Sequence, residues 1–454
     1  MLDLLIDGGT VVTAEAPPFP ANVGVADGRV VGLYVPHDRP AAREVVDATG
    51  KVVLPGVMDA HVHPGVYRDL AEDLEAMTGF ALRGGITSMV AFHRPQATYA
   101  QAIPAAREVF AAASQIDFGF ILGVTQTHQI DDIGMAVRSG IGAFKFYLGY
   151  CGQEERFESD FPFTDTYLVR VMQAVADAPG DALLCVHCEN ADIALHHQDR
   201  LPPDAPATLE TYGRRFPVVA EADAAVHVSL LGHLHRIRTC IVHVSAGTTA
   251  ELLAQVPWRA EGRSVLESCM HYLTLTTDDP AGLRAVVRPP VRCVNERDRL
   301  WAQVLDGTID TLGSDHCGND LEQKPAMDLA SCTLGFGETG LTLPLLLSEG
   351  HHQRGMPLQQ VAALTSRNIA VAHGLHPRKG TIRPGSDADL VVVDLDREQA
   401  VDPTALKGRA DGSVYAGRTL RGWPVVTIAG GQVACRDGEL IPRRAGATFL
   451  EARS

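Results

Sequence analysis

From residue 51 to about residue 370 the chain repeats one rhythm eight times: a short β-rich run, a loop, then a stretch with helical spacing. The β-rich runs are 52–57, 87–92, 118–124, 143–148, 182–186, 239–244, 264–269 and 311–313. Between them lie Ala/Leu/Arg/Glu-rich segments such as 70–83, 99–114, 167–178, 221–236 and 296–305, whose apolar residues recur every three or four positions. Eight strands alternating with helices predict an α/β fold of the (β/α)8 TIM-like barrel type. The span exceeds the ~250 residues typical of such a barrel, so loop insertions are expected at 149–165 and 191–217.

The two ends have a different grain. Residues 1–54 read as short strands with turns, and Asp27-Gly28 is a strong hairpin signal. After a helix expected over 358–368, short strands return around Pro384-Gly385-Ser386 and Gly430-Gly431. Neither end is large enough to stand alone. They are expected to pair into one small β-sandwich domain, residues 1–54 and 373–454, flanking the barrel at 55–372.

Net charge is -16 with no basic block, which argues against nucleic acid or an anionic membrane as partner. No apolar run is long enough to span a bilayer, and the start of the chain lacks a basic segment followed by an apolar one. The nine cysteines are scattered and odd in number. Cys185 and Cys188 bracket Val186-His187, but no second CxxC faces them, so neither a disulfide framework nor a structural zinc knuckle is indicated. A reducing cytoplasmic compartment is expected.

The chemistry centres on Asp59-Ala60-His61-Val62-His63, at the end of an apolar run. In a strand, residues two apart share a face, so His61 and His63 present two imidazoles together, half of a metal site. Such a pair alone is more often hydrogen-bonded than metal-bound. The balance shifts downstream, where Lys145, His187, His243 and Asp315 each fall in or just after a β-rich run. The C-terminal ends of the strands form the catalytic face of a (β/α)8 barrel, so all six are expected at one rim. Imidazole and carboxylate donors without thiolate suit zinc, with manganese, cobalt and iron left open.

With these motifs, and with Phe144-Lys145-Phe146-Tyr147-Leu148-Gly149-Tyr150, Val186-His187-Cys188-Glu189-Asn190, Pro289-Pro290-Val291-Arg292 and Gly313-Ser314-Asp315-His316, the chain resembles the cyclic-amide branch of the amidohydrolase superfamily. That branch holds D-hydantoinase, dihydropyrimidinase, allantoinase and dihydroorotase, and the resemblance covers essentially the full length. It implies a hydrolase that opens the C–N bond of a small cyclic amide. It implies two divalent ions, with Lys145 carboxylated by CO2. One ion would take His61, His63, Lys145 and Asp315; the other would take Lys145, His187 and His243. A hydroxide bridging the ions would be the nucleophile, Asp315 the general base and acid, and Tyr150 the donor to the developing oxyanion. It also implies a homotetramer or homodimer.

The chain departs from the family where the substrate is gripped. Related dihydroorotases carry an arginine two residues after HxH, and here Gly65 stands there. Hydantoinases usually have Ser, and dihydroorotases Asn, before Pro-Pro; here it is Arg288. Arg288, His93 and Arg94 are candidates to line a pocket for an anionic or hydrogen-bond-accepting substituent, or to act only through their backbones. Tyr67 and Phe157 are candidates for an apolar substituent pocket, or equally for lid packing. The alternatives are allantoinase and a specialised cyclic amidase. A non-catalytic relative is disfavoured because all six ligand positions are intact, and a mononuclear deaminase would not need Lys145.

Overall fold

The computed structural model describes all residues except 320, 322, 323, 325–328, 330, 331, 405–411, 443–445, 453 and 454. It divides into two compact units: Met1–Val90 with Val109–Phe118 and Glu338–Leu450, and Ala91–Glu108 with Gly119–Gly337 and Glu451–Ser454.

Both chain ends build one nine-stranded mixed sheet in the first unit. Leu2–Val11, Phe19–Ala26 and Arg29–Tyr34 form an antiparallel meander. The second hairpin turns at Asp27 and Gly28, both with positive φ (51° and 72°), the conformation the Asp-Gly pair announces. Val52–Pro55 joins the two ends, pairing in parallel with Leu2–Val11 and antiparallel with Leu390–Ala400. Thr419–Ala429 and Gln432–Arg436 continue the sheet. Ile6, Val23, Val25, Val53, Leu390, Val392, Val426 and Ile428 meet in a single apolar core. Full burial of each such side chain stabilises by roughly 1.5–3 kcal/mol.

The expected first strand, 52–57, is in fact two. Gly56 separates Val52–Pro55 from Val57–His63. A Cβ at Gly56 would sit 2.2 Å from Thr87 Oγ1, so only glycine lets the chain pass between the two sheets here. His61 and His63 therefore end the barrel strand itself rather than following it.

In the second sheet eight of the nine strands follow one another in chain order: Val57–His63, Ile86–His93, Asp117–Gly123, Ala143–Phe146, Leu183–Val186, Arg238–Ile241, Ser264–Cys269 and Thr311–Gly313. From the third strand to the eighth each is hydrogen-bonded in parallel to its successor. Helices fill the intervals, which makes the (β/α)8 pattern. Leu70–Arg83 shows why they form: Asp69 caps the first turn by accepting from the Ala71 and Glu72 N–H groups. Leu74, Met77, Thr78 and Ala81 recur on one buried face, and Gly84-Gly85 ends the helix. Tyr99–Ala113, Asp165–Asp177, Val218–His235 and Val294–Leu305 lie where helical spacing places them, with starts shifted by up to three residues.

The insertion expected at 191–217 is not plain loop. It holds two helices, Ala191–Asp199 and Leu209–Arg215, capped by Asn190 and Thr208. The insertion after the fourth strand holds only 3-10 turns, Leu148–Tyr150 and Glu154–Phe157. No helix among the described residues is long and apolar enough to cross a membrane.

Candidate active site

In the first unit, His61 is buried on the strand Val57–His63, and its ring lies edge-on to that of His63 with centroids 5.2 Å apart. Asp59, two residues earlier, accepts from the His61 N–H at 3.2 Å and from Thr339 Oγ1 at 2.6 Å, which ties the strand end down. Tyr67 lies beyond it, 42% exposed.

In the second unit Lys145 is paired in register with Gly123 on one side and Cys185 on the other, and Cys185 with Cys240. Register partners in a parallel sheet share a face, so the lysine stands in a row with two small thiols. Its side chain is buried, with Nζ 4.7 Å from the Phe92 ring centre and 5.9 Å from that of Tyr147. Burial pulls the amine below the ordinary lysine range, while Cys185, Asp315 and Glu267 oppose that pull.

His187 immediately follows the fifth strand; His243 and Asp315 come two residues after the sixth and eighth. His243 has φ 45° and Asp315 φ 52°. A left-handed residue other than glycine costs on the order of 1–3 kcal/mol and persists where its surroundings over-determine it. His243 is held by its neighbours, because the Val242 N–H donates to the Val186 carbonyl and the Val244 N–H to Glu267.

His187 Nδ1 lies 2.9 Å from His243 Nε2, and His187 Nε2 lies 2.7 Å from Glu189 Oε2. Burial holds the His187 pKa down at about 4, although Glu189 favours its protonated form. Glu189 is itself buried, a cost that Arg288 and the His187 bond outweigh, leaving its carboxyl ionised with a pKa of about 2. An ionised carboxylate only accepts, so His187 donates through Nε2–H and keeps a lone pair on Nδ1. Two nitrogens on one tetrahedral zinc, at ~2.0–2.1 Å from it, stand roughly 3.3 Å apart. The facing nitrogens of His187 and His243, 2.9 Å apart, fit such an ion.

Tyr150 ends the 3-10 turn after the fourth strand. Its ring centre is 4.8 Å from His187 and 4.8 Å from Phe157. Burial raises its phenol pKa, against the pull of Arg288, so the hydroxyl keeps its proton and stays a donor. Phe157 is buried among Tyr147, Tyr150 and Phe163. Arg94 lies 4.8 Å over the Phe157 ring. His93 ends the second strand with its ring 5.7 Å from Phe120, and burial lowers its pKa to about 4, which leaves it neutral. Arg288 is buried, with Nε 2.8 Å from Glu189 Oε2, and Nη2 donates to the Gly149 carbonyl.

Two ion pairs at this rim lie outside the sequence reading, which has Arg288 only as a candidate substrate contact and gives its partner no role. One is Glu189 with Arg288; the other is Glu221 with Arg292, 2.9 Å apart and both bonded to Ser245 Oγ. The signal lay in Glu221, an acidic residue in the Ala/Val-rich helix Val218–His235 whose buried placement demands a cation.

Comparison with known proteins extends the agreement to the whole chain. A family model described as "Amidohydrolase family" matches residues 52–434. An allantoinase of Rubrobacter xylanophilus is 33% identical over 98% of this chain and 96% of its own length. An L-hydantoinase of Paenarthrobacter aurescens is 29% identical over 100% and 99%. The solved structure of the L-hydantoinase (dihydropyrimidinase) from Arthrobacter aurescens superposes with a TM-score of 0.92, at 28% identity over 99% of this chain and 100% of that one. The fold is thus a (β/α)8 barrel with a small β-domain from both chain ends, and the chain belongs to the amidohydrolase family.

Proposed function

We propose that this amidohydrolase opens a small cyclic amide, of hydantoin, dihydropyrimidine or imide type, by metal-assisted hydrolysis of the ring C–N bond. The reading is carried by the meeting of His187 and His243 at 2.9 Å beneath the ring of Tyr150, at the ends of adjacent barrel strands. Full-length similarity to proteins named allantoinase and L-hydantoinase supports the substrate class.

His61, His63, carboxylated Lys145 and Asp315 would hold one divalent ion, and Lys145, His187 and His243 the other, with zinc the best match to the donor set. When bound, the pair of ions supplies an activated water at neutral pH and polarises the amide carbonyl. Asp315 takes the proton of the attacking water and delivers it to the departing ring nitrogen. Tyr150 donates its hydroxyl hydrogen to the carbonyl oxygen as negative charge builds there. His93, Tyr67 and Phe157 would border the ring substituent, and the working enzyme would be a homodimer or homotetramer.

The test is ring opening across hydantoin, 5-phenylhydantoin, dihydrouracil, allantoin, dihydroorotate and succinimide, with zinc and bicarbonate supplied during purification. Turnover of one class, abolished in Asp315→Asn, supports the reading and chooses between hydantoinase and allantoinase. Two bound metals per chain with no turnover of any of the six would remove this substrate class.

A further inference from the structure

Arg288, one of the expected departures from the family pattern, makes several bonds and ring contacts around His187 and Tyr150. Its Nε donates to Glu189 Oε2 at 2.8 Å, and its Nη2 donates to the carbonyl of Gly149. Its Nη1 is 3.5 Å from Gln153 Oε1, at the outer edge of a hydrogen bond. Its guanidinium carbon lies 4.2 Å from the ring centre of Tyr150 and 4.2 Å from that of Phe216. Three of these groups lead to the site. Glu189 orients His187, Gly149 is the residue before Tyr150, and the Tyr150 ring lies against the guanidinium face.

We infer that Arg288 is a positioning residue of this enzyme, a buried clamp that sets the His187 tautomer through Glu189 and the place of the Tyr150 hydroxyl through its ring and the Gly149 carbonyl. The inference rests on the proposed function for the identity of the reacting groups, but the clamp itself is geometric. The reasons are in the chemistry of guanidinium. It is planar, permanently charged, and able to donate in its plane while stacking on its faces. Here Nε and Nη2 are committed in the plane and the aromatic rings lie close to the same group. The Arg288 side chain is 2% exposed and Glu189 0%, so the pair is shielded from solvent screening. Removing Arg288 strands a buried carboxylate beside His187. Without its partner that carboxylate is no longer held against the imidazole and is free to swing away, and the Nε2–H bond that keeps Nδ1 available as a lone pair is lost with it.

This role differs in its consequences from gripping an anionic substituent. A clamp acts on every substrate alike and acts on metal binding as well; a substrate grip acts only on KM for anionic substrates. The experiment compares wild type with Arg288→Ala, Arg288→Lys and Glu189→Gln. It measures zinc affinity by chelator competition, and kcat and KM on a neutral hydantoin and on a carboxylate-bearing one.

Expected is a 10–100-fold loss of zinc affinity in Arg288→Ala and a smaller loss in Glu189→Gln, where an acceptor for His187 survives. On both hydantoins Arg288→Ala lowers kcat with little change in KM, and Arg288→Lys rescues only part, because an ammonium cannot donate twice in one plane and stack. Unchanged zinc affinity in both Arg288→Ala and Glu189→Gln overturns the inference, as does a KM rise confined to the carboxylate-bearing substrate. If wild type opens neither hydantoin, the proposed function is judged on the remaining substrates of the panel, while zinc competition still decides the clamp. If wild type binds no zinc, histidine nitrogen NMR decides it: loss of a single Nε2–H tautomer of His187 on Arg288→Ala supports the clamp, and an unaltered spectrum overturns it.

Discussion

His187 Nδ1 stands 2.9 Å from His243 Nε2, although the two residues are 56 positions apart and leave different strands. What allows this is that the fifth and sixth strands are parallel neighbours in strict register, Val186 opposite Ile241, so their C-terminal loops start side by side. The left-handed His243 then turns its ring back toward His187.

Gly149→Ala tests how closely that pair is built. A Cβ on Gly149 would lie 2.5 Å from His187 Cδ2 and 2.7 Å from Nε2, nearer than real contacts allow. The backbone at 149 tolerates alanine, so the ring must move and its bond to Glu189 with it. Zinc affinity should fall ~10–100-fold, while overpacking destabilises the fold by roughly 1–3 kcal/mol. Elemental analysis after dialysis, alongside a urea melt, separates the two.

Tyr150→Phe keeps the ring against His187 and Arg288 and removes only the donor. Loss of one oxyanion donor typically lowers kcat by ~10²–10³. KM should change little, and metal content should be that of wild type. A kcat within a factor of two of wild type would remove Tyr150 from the mechanism.

Glu338 predicts a pH dependence of stability. It is buried, bonded by Ser413 Oγ and the Val414 N–H, and desolvation pushes its pKa from the ordinary 4.5 up to about 8 despite those bonds. Between those values the folded chain binds more protons than the unfolded one, so stability falls as pH rises. The contribution is complete below pH 4.5 and gone above about 8. In Glu338→Gln the amide oxygen can accept both bonds without a charge. The melting temperature of this variant should vary less between pH 5 and 8 than that of wild type, and should match or exceed it at pH 8.

Lys379 is the buried counter-charge of an acidic cluster whose Asp117 is part-buried. Its Nζ is 2.6 Å from Asp117 and 3.1 Å from Asp387, and it also bonds Asp389. The three carboxylates raise its pKa against the cost of burial. Lys379→Ala leaves them facing one another and should destabilise by about 3–5 kcal/mol. The denaturant midpoint measures this, and a change under 1 kcal/mol would show that the cluster sheds its charge by protonation.

The rhythm of β-rich runs and helices was local information. Apolar spacing on 70–83 survives folding because it states which face is buried. Asp27-Gly28 told its turn because backbone strain is a property of two residues. Gly56 did not announce itself as a break: what forbids a side chain there is Thr87, thirty-one positions on, and no window of sequence contains both. The helices within 191–217 were hidden in the same way, since short segments with few buried residues owe their helix to caps and packing.

For the site, the sequence alone determined which residue types could bind a metal and the strand end each occupies, because alternation along a strand and the order of strands are one-dimensional facts. Only tertiary structure decided the company each residue keeps. It placed Glu189 on His187, Arg288 on Glu189 and Tyr150, and a left-handed turn at His243. Those are choices among partners far apart in the chain, made by burial. A carboxylate or guanidinium that leaves water must find its opposite charge wherever the fold brings one.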